Sequence, residues 1–298
     1  MPLPTRTPFT GGSTGQPFPG KSIRTIPKSR DGRPLLNQNR IQGVGTMKET
    51  VVKELKEDIP ALRDPVMIVG LPGVGNIGKL AADYLKDLLG AEPVLEIVSP
   101  HFPPQVMSGE DSTIRIVKNQ ICLAETEKRS VVLLVGEAQS TDGPGHYELS
   151  DLYTDLAARF GVKQIYTLGG YPIGIPAEPH VVGVVTDVSQ KEFLEQQGVE
   201  FRKCEPPGGI IGAAALVLYF AAEKGIPAAC LTGTTTGYIA DPRCAKKIAG
   251  VLGKILETEI PENALDDRIE EVEKLVEQLK PHQAPQVPRP DDDLAYYG

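Results

Sequence analysis

The sequence predicts an α/β layered domain in which helices cover both faces of a largely parallel sheet, preceded by a basic leader and followed by a Pro-rich tail. Three observations predict it. Between about residues 47 and 261, short apolar runs alternate with stretches of helical period. The central runs are apolar throughout, as strands buried on both faces must be. Residues 1–46 and 281–298 show neither period.

Taken in order, residues 65–70 (PVMIVG) read as a buried strand and 76–89 as a helix with Ile77, Leu80, Ala81, Tyr84 and Leu88 near one face. Residues 94–98 form the next strand. Residues 113–117 and 121–125, separated by Lys-Asn-Gln, read as a hairpin, which would make the sheet mixed. Residues 130–136 are a central strand, 147–160 a helix, 164–168 and 181–186 strands. Residues 208–224 read as a buried helix, 228–233 as a strand and 242–256 as a helix. The clearest helix is 265–280, LDDRIEEVEKLVEQLK. Leu265, Ile269, Val272, Val276 and Leu279 make one apolar stripe, partly at heptad spacing, and Pro281 stops it. Two heptads are too few for a free coiled coil, so the stripe docks either on its own domain or on a neighbouring subunit.

Composition narrows the function classes. The chain has 298 residues, 40% of them hydrophobic, enough for a sizeable core. Its formal net charge is −8; residues 1–46 carry seven Lys/Arg against one Asp, so the remainder stands at −14. An acidic body of this kind lacks the basic footprint of nucleic-acid binding. The leader is rich in Pro, Gly, Ser and Thr and is expected to be disordered. Either Met47 is the true start, or the leader is a real flexible arm. Cys122, Cys204, Cys230 and Cys244 show no C-x-x-C spacing and read as reduced thiols, not metal ligands. The longest apolar stretch, 208–222, is shorter than the ~20 residues that cross a bilayer. With no secretory h-region either, a cytoplasmic location is expected.

Four loops carry candidate chemistry. Gly73-Val74-Gly75-Asn76-Ile77-Gly78 is a G-x-G-x-x-G between a strand and a helix, the context of a dinucleotide site, with Glu96 as ribose acid. The competing reading is a tight turn with close strand–helix packing. Gly143-Pro144-Gly145-His146-Tyr147-Glu148 follows a strand end, where His146, Glu148, Glu137 and Asp142 would make an acid–base group. Against that, His146 and Glu148 sit two apart at a helix start, and Asp142 suits a cap. Thr232 to Tyr238 is a Thr/Gly loop without the lysine of a phosphate loop; Asp241 as N-cap and Pro242 at the first helical position account for its end. Gly169-Gly170-Tyr171 leads into a Pro/Gly-rich surface loop reaching His180.

Five segments in order resemble the proteasome assembly chaperone 2 family, specifically its archaeal members: GLPGVGNIGKLAADYL at 70–85, GEAQSTDGPGHYEL at 136–149, YTLGGY at 166–171, PPGGIIGAAALVL at 206–218 and LTGTTTGYIADPRCA at 231–245. The resemblance spans about residues 47–280. It implies a three-layer α/β/α fold, phosphorylase-like in shape, self-association as a homo-oligomer, and work on proteasome α-subunits. It implies no cofactor, no metal and no catalytic residues. The alternative is a phosphorylase-like or ATP-dependent ligase-like enzyme using the 70–78 loop with His146 and Glu148.

The tail 281–298 is Pro-rich, then acidic, and ends on two aromatics and a glycine. Tyr296, Tyr297 and Gly298 are similar to the hydrophobic–Tyr–any C-terminal motif of proteasome activators and assembly factors. That motif implies docking between adjacent α-subunits, the aromatics filling a pocket and the terminal carboxylate pairing with a lysine. An extended, mobile tether would let several tails of one oligomer engage one ring. The sequence thus divides into a leader (1–46), an α/β body with its last helix (47–280) and a docking tail (281–298).

Overall fold

The computed structural model describes residues 48–109, 111–175, 177–203 and 205–279, with side chains through Lys274. The leader and the docking tail, Tyr296, Tyr297 and Gly298 included, lie outside the described residues. In chain order the strands are β1 (Val51–Glu54), β2 (Val66–Gly70), β3 (Glu92–Val98), β4 (Val106–Ser108), β5 (Ile114–Ile116), β6 (Asn119–Glu125), β7 (Ser130–Gly136), β8 (Gln164–Pro172), β9 (Val181–Val185) and β10 (Ala228–Thr235). The helices are α1 (Ile77–Leu88), α2 (Gly143–Arg159), α3 (Lys191–Gln196), α4 (Ala213–Glu223), α5 (Pro242–Leu256) and α6 (Asp266–Leu279).

Eight strands form one sheet in the order β1-β3-β6-β7-β2-β8-β10-β9. Its centre, β7-β2-β8-β10, is parallel, and the flanking pairings are antiparallel. The central strands are apolar throughout because both their faces are covered. On β2, Val66 and Ile68 point into the layer built by α1 and α5. Met67 and Val69 point into the layer built by α2 and α4. β7 divides in the same way, with Val131, Leu133 and Val135 on one side and Val132 and Leu134 on the other. The result is the three-layer α/β/α architecture.

Two readings need correction. The expected hairpin between 113–117 and 121–125 does not form: β5 pairs with β4 in a separate two-stranded ribbon. The reason is that β6 spends both its edges on β3 and β7, leaving none for β5. The 208–224 helix begins only at Ala213, because Gly208, Gly209 and Gly212 adopt φ of 79°, 85° and 77°. Nor is that helix fully buried: only Ala213, Val217, Leu218 and Ala221 are.

Candidate functional site

Strands β3, β7, β2, β8 and β10 all run in one direction, so their carboxyl ends open on a single edge of the sheet. The loops that follow them, together with the start of α4, gather there. The five motif segments, scattered from 70 to 245 in sequence, therefore converge on one end of the body. Gln139 ties two of them together: its Nε2 donates to the Pro72 carbonyl at 2.6 Å, and its Oε1 accepts from the Ala213 amide at 2.9 Å. Asp241 N–H donates to the Gly75 carbonyl at 2.8 Å, and Ile173 N–H to that of Thr235 at 2.8 Å. Beneath them, Asn119 is fully buried. Its Nδ2 donates to the Ala138 carbonyl and to the Tyr153 hydroxyl, and its Oδ1 accepts from Glu137 N–H. A loop set bonded to itself in this way is a fixed surface.

The glycine loop spends its glycines on packing. Gly75 has φ of 62°. A Cβ on Gly78 would stand 2.5 Å from the Leu168 carbonyl oxygen, and one on Gly170 would stand 2.3 Å from that of Val74. In a dinucleotide fold the strand after the first helix lies beside the first strand. Here that strand is β3, separated from β2 by β7 and β6. Glu96, on β3, is bonded to Lys118 at 2.5 Å and is not beside the loop.

The expected acid–base group is redistributed. Asp142 and Glu148 come together not around His146 but around His101, whose Nδ1 is 2.7 Å from Asp142 Oδ2 and whose Nε2 is 3.4 Å from Glu148 Oε2. Asp142 also caps α2, accepting from Gly145 N–H at 2.7 Å. Thr50, just before β1, donates to Glu148 at 2.6 Å. The hydrogen bond to Asp142 is the main cause holding the His101 imidazole above its ordinary pKa, and the two carboxylate charges add to it against burial. The same bond lowers Asp142. With a carboxylate facing each nitrogen, the ring forms a clamp between the β3 end and the α2 start. Glu137 faces away, bonded to Arg115 at 2.5 Å. Sequence reasoning missed His101 and Gln139; the only signal was their place just after strand ends.

Apolar side chains also stand exposed at this end: Ile211 is 84% exposed and Tyr238 82%. Residues 71–76, 207–212 and 236–240 contain no charged side chain. Among the described residues no group of His, Cys, Asp and Glu gathers as a metal site requires, and no helix is long and apolar enough to cross a membrane. Cys122, Cys230 and Cys244 are buried; burial pushes the first two thiols up to about 11 and that of Cys244 up to about 12.

The last helix points the chain toward the same end. α6 runs back along α5, with Lys246 paired to Asp266 at 2.6 Å and Arg243 paired to Glu273. Arg243 stands in the first turn of α5, at the loop end, so α6 finishes beyond it. Just before α6, Leu265 packs against the core, and on the helix Ile269 and Val272 are half-buried. Val276 and Leu279 share the helix, but their side chains are outside the described ones.

Fold and loop end define a class: a three-layer α/β/α protein whose parallel strands end in an interlocked, apolar surface. Within that class, the chain belongs to the PAC2 family, whose model matches residues 67–280. It is 33% identical over 259 residues to an uncharacterized protein of Methanocaldococcus jannaschii, covering 85% of this chain and 99% of that one. It is similar to the crystal structure of Pyrococcus furiosus PbaB, described as an archaeal proteasome activator, with 35% identity, a TM-score of 0.72, and coverage of 78% of this chain and 99% of that one. It shares its fold with PbaA of the same organism, described as an archaeal homologue of proteasome-assembly chaperone, at 22% identity and a TM-score of 0.64, covering 78% and 91% of the two chains.

Proposed function

We propose that this protein binds the proteasome core particle as an activator or assembly chaperone, that it docks its C-terminal tail on the α-ring, and that it acts by binding, not by catalysis. The observation that carries the reading is the 35% identity to PbaB over nearly the whole of that protein. The tail adds to it: Tyr296, Tyr297 and Gly298 end an otherwise Pro-rich and acidic segment. Docking by several tails at once requires more than one copy of the chain, so self-association belongs to the same reading. The enzymatic alternative finds little support, since Glu96 stands three strands from the glycine loop and Glu148 is engaged with His101 and Thr50 instead of His146. An intracellular location suits this function.

In this reading Tyr297 is the main anchor, Tyr296 the second and the Gly298 carboxylate the third. Truncating a buried aromatic anchor costs about 2 kcal/mol or more, roughly thirtyfold in affinity for one tail. Surface-plasmon binding to a recombinant α-ring should therefore show Tyr297→Ala weakened at least that much. A one-residue extension after Gly298 should weaken binding comparably, by displacing the carboxylate. If Tyr297→Ala binds as tightly as wild type, the tail is not the docking element.

A further inference from the structure

We infer that the outer face of α4, with Tyr147 of α2, is the surface through which two copies of this chain associate. Sequence and structure disagree about α4 in an informative way. From Ile210 to Ala222 no residue carries a charge, and a helix apolar on all sides belongs inside a protein. The body buries only one side of it, through Ala213, Val217, Leu218 and Ala221. The other side presents Ile211, Ala215, Leu216 and Tyr219, with Tyr219 55% exposed. Tyr147, also exposed, extends the patch. Its ring meets Phe220 edge-on at 6.4 Å, and the Tyr219 ring meets Phe220 at 5.3 Å. Charge enters at the C-terminal end of the helix, where Glu223 is exposed and Lys224 stands over the Phe220 ring at 5.6 Å while paired with Asp151 at 2.5 Å and with Asp155 at 3.0 Å. An aromatic centre with a paired polar rim is the anatomy of a lasting interface.

Charge selects the occupant. The chain outside the leader carries −14, so two copies repel over most of their surface. An uncharged face is where two like-charged bodies can meet without placing carboxylates opposite one another, and it is self-complementary for that reason. A basic partner would seek the acidic remainder. The same argument disfavours the leader as a cover in cis, since its net +6 has no counterpart on an uncharged patch. The α6 stripe is a weaker candidate, because Leu265 is already spent on the core. This inference deepens the self-association in the proposed function but rests on the α4 face alone.

The test is light scattering of the full chain at micromolar concentration, with no proteasome present, so its failure is separate from failure of the docking reading. Wild type should show a multiple of 32.1 kDa. Ile211→Glu, at a position outside the helix and almost wholly exposed, and Tyr219→Lys should each lower the mass to 32.1 kDa with an unchanged circular dichroism spectrum. Val272→Asp should keep the wild-type mass. A monomeric wild type would overturn the inference. So would an Ile211→Glu variant that keeps the wild-type mass, or loss of assembly in Val272→Asp alone.

Discussion

His101 shows how much of the loop end depends on single side chains that carry no motif. It stands at the end of β3 and holds two carboxylates of α2, one of them the cap of that helix. Its pKa is raised in the folded state, so its contribution to stability is complete below the unfolded value near 6.5 and is lost as pH rises through the folded value. Asp142 works in the opposite sense: its lowered pKa gives stability that is lost as pH falls through its folded value. The clamp is therefore strongest between those limits. His101→Ala should lower the melting temperature more at about pH 6 than at about pH 9, a difference readable by calorimetry. The effect should be small, since Asp142 and Glu148 are partly exposed and screened. An equal loss at both pH values would mean that the ring acts by packing and not by charge. The sequence offered His146 for this place because it lies between Asp142 and Glu148. A partner forty residues upstream is invisible until β3 and β7 are known to run in parallel.

Among elements, those buried on both faces were the most legible. The apolar runs at 66–70 and 130–136 admit no other reading, and β2 and β7 are where they were expected. Edge elements were read less well. β1 and α3 were not assigned, and β5 was given the wrong partner, because pairing at an edge depends on which neighbour still has a free side. The glycine motif was legible in position and ambiguous in meaning, since one spacing serves both a phosphate and a close helix crossing. The structure supports the crossing, which predicts a stability effect. Gly78→Ala would push a methyl against the Leu168 backbone, which cannot swing away as a side chain would. The cost should be about 1–3 kcal/mol in urea unfolding, as for other overpacked sites. A variant as stable as wild type would show that the close approach is not needed and would reopen the case for a ligand there.

At the scale of the molecule, the described chain enters near Thr50 and leaves by α6 at the same end where the five motif loops converge, while the α4 face lies along one flank. On the two proposals, a surface for meeting copies of itself is separate from a tail for meeting the α-ring, and together they make a joint prediction. Residues 281–298 span at most about 65 Å when extended, the reach through which tails from one small oligomer would engage neighbouring sites on a single ring. Once one tail is bound, the next binds at an effective concentration set by this length, which can raise overall affinity by about 10²–10⁴-fold without a new contact. A monomeric Tyr219→Lys chain keeps an intact tail and should lose only this gain. Its affinity for an immobilised α-ring should fall to that of a synthetic peptide of residues 281–298, mainly through faster dissociation. Tyr297→Ala in an intact oligomer should instead weaken every tail at once and fall further. If Tyr219→Lys is monomeric by scattering and yet leaves the ring as slowly as wild type, one tail and the body suffice, and multivalent docking is not how this protein holds its partner.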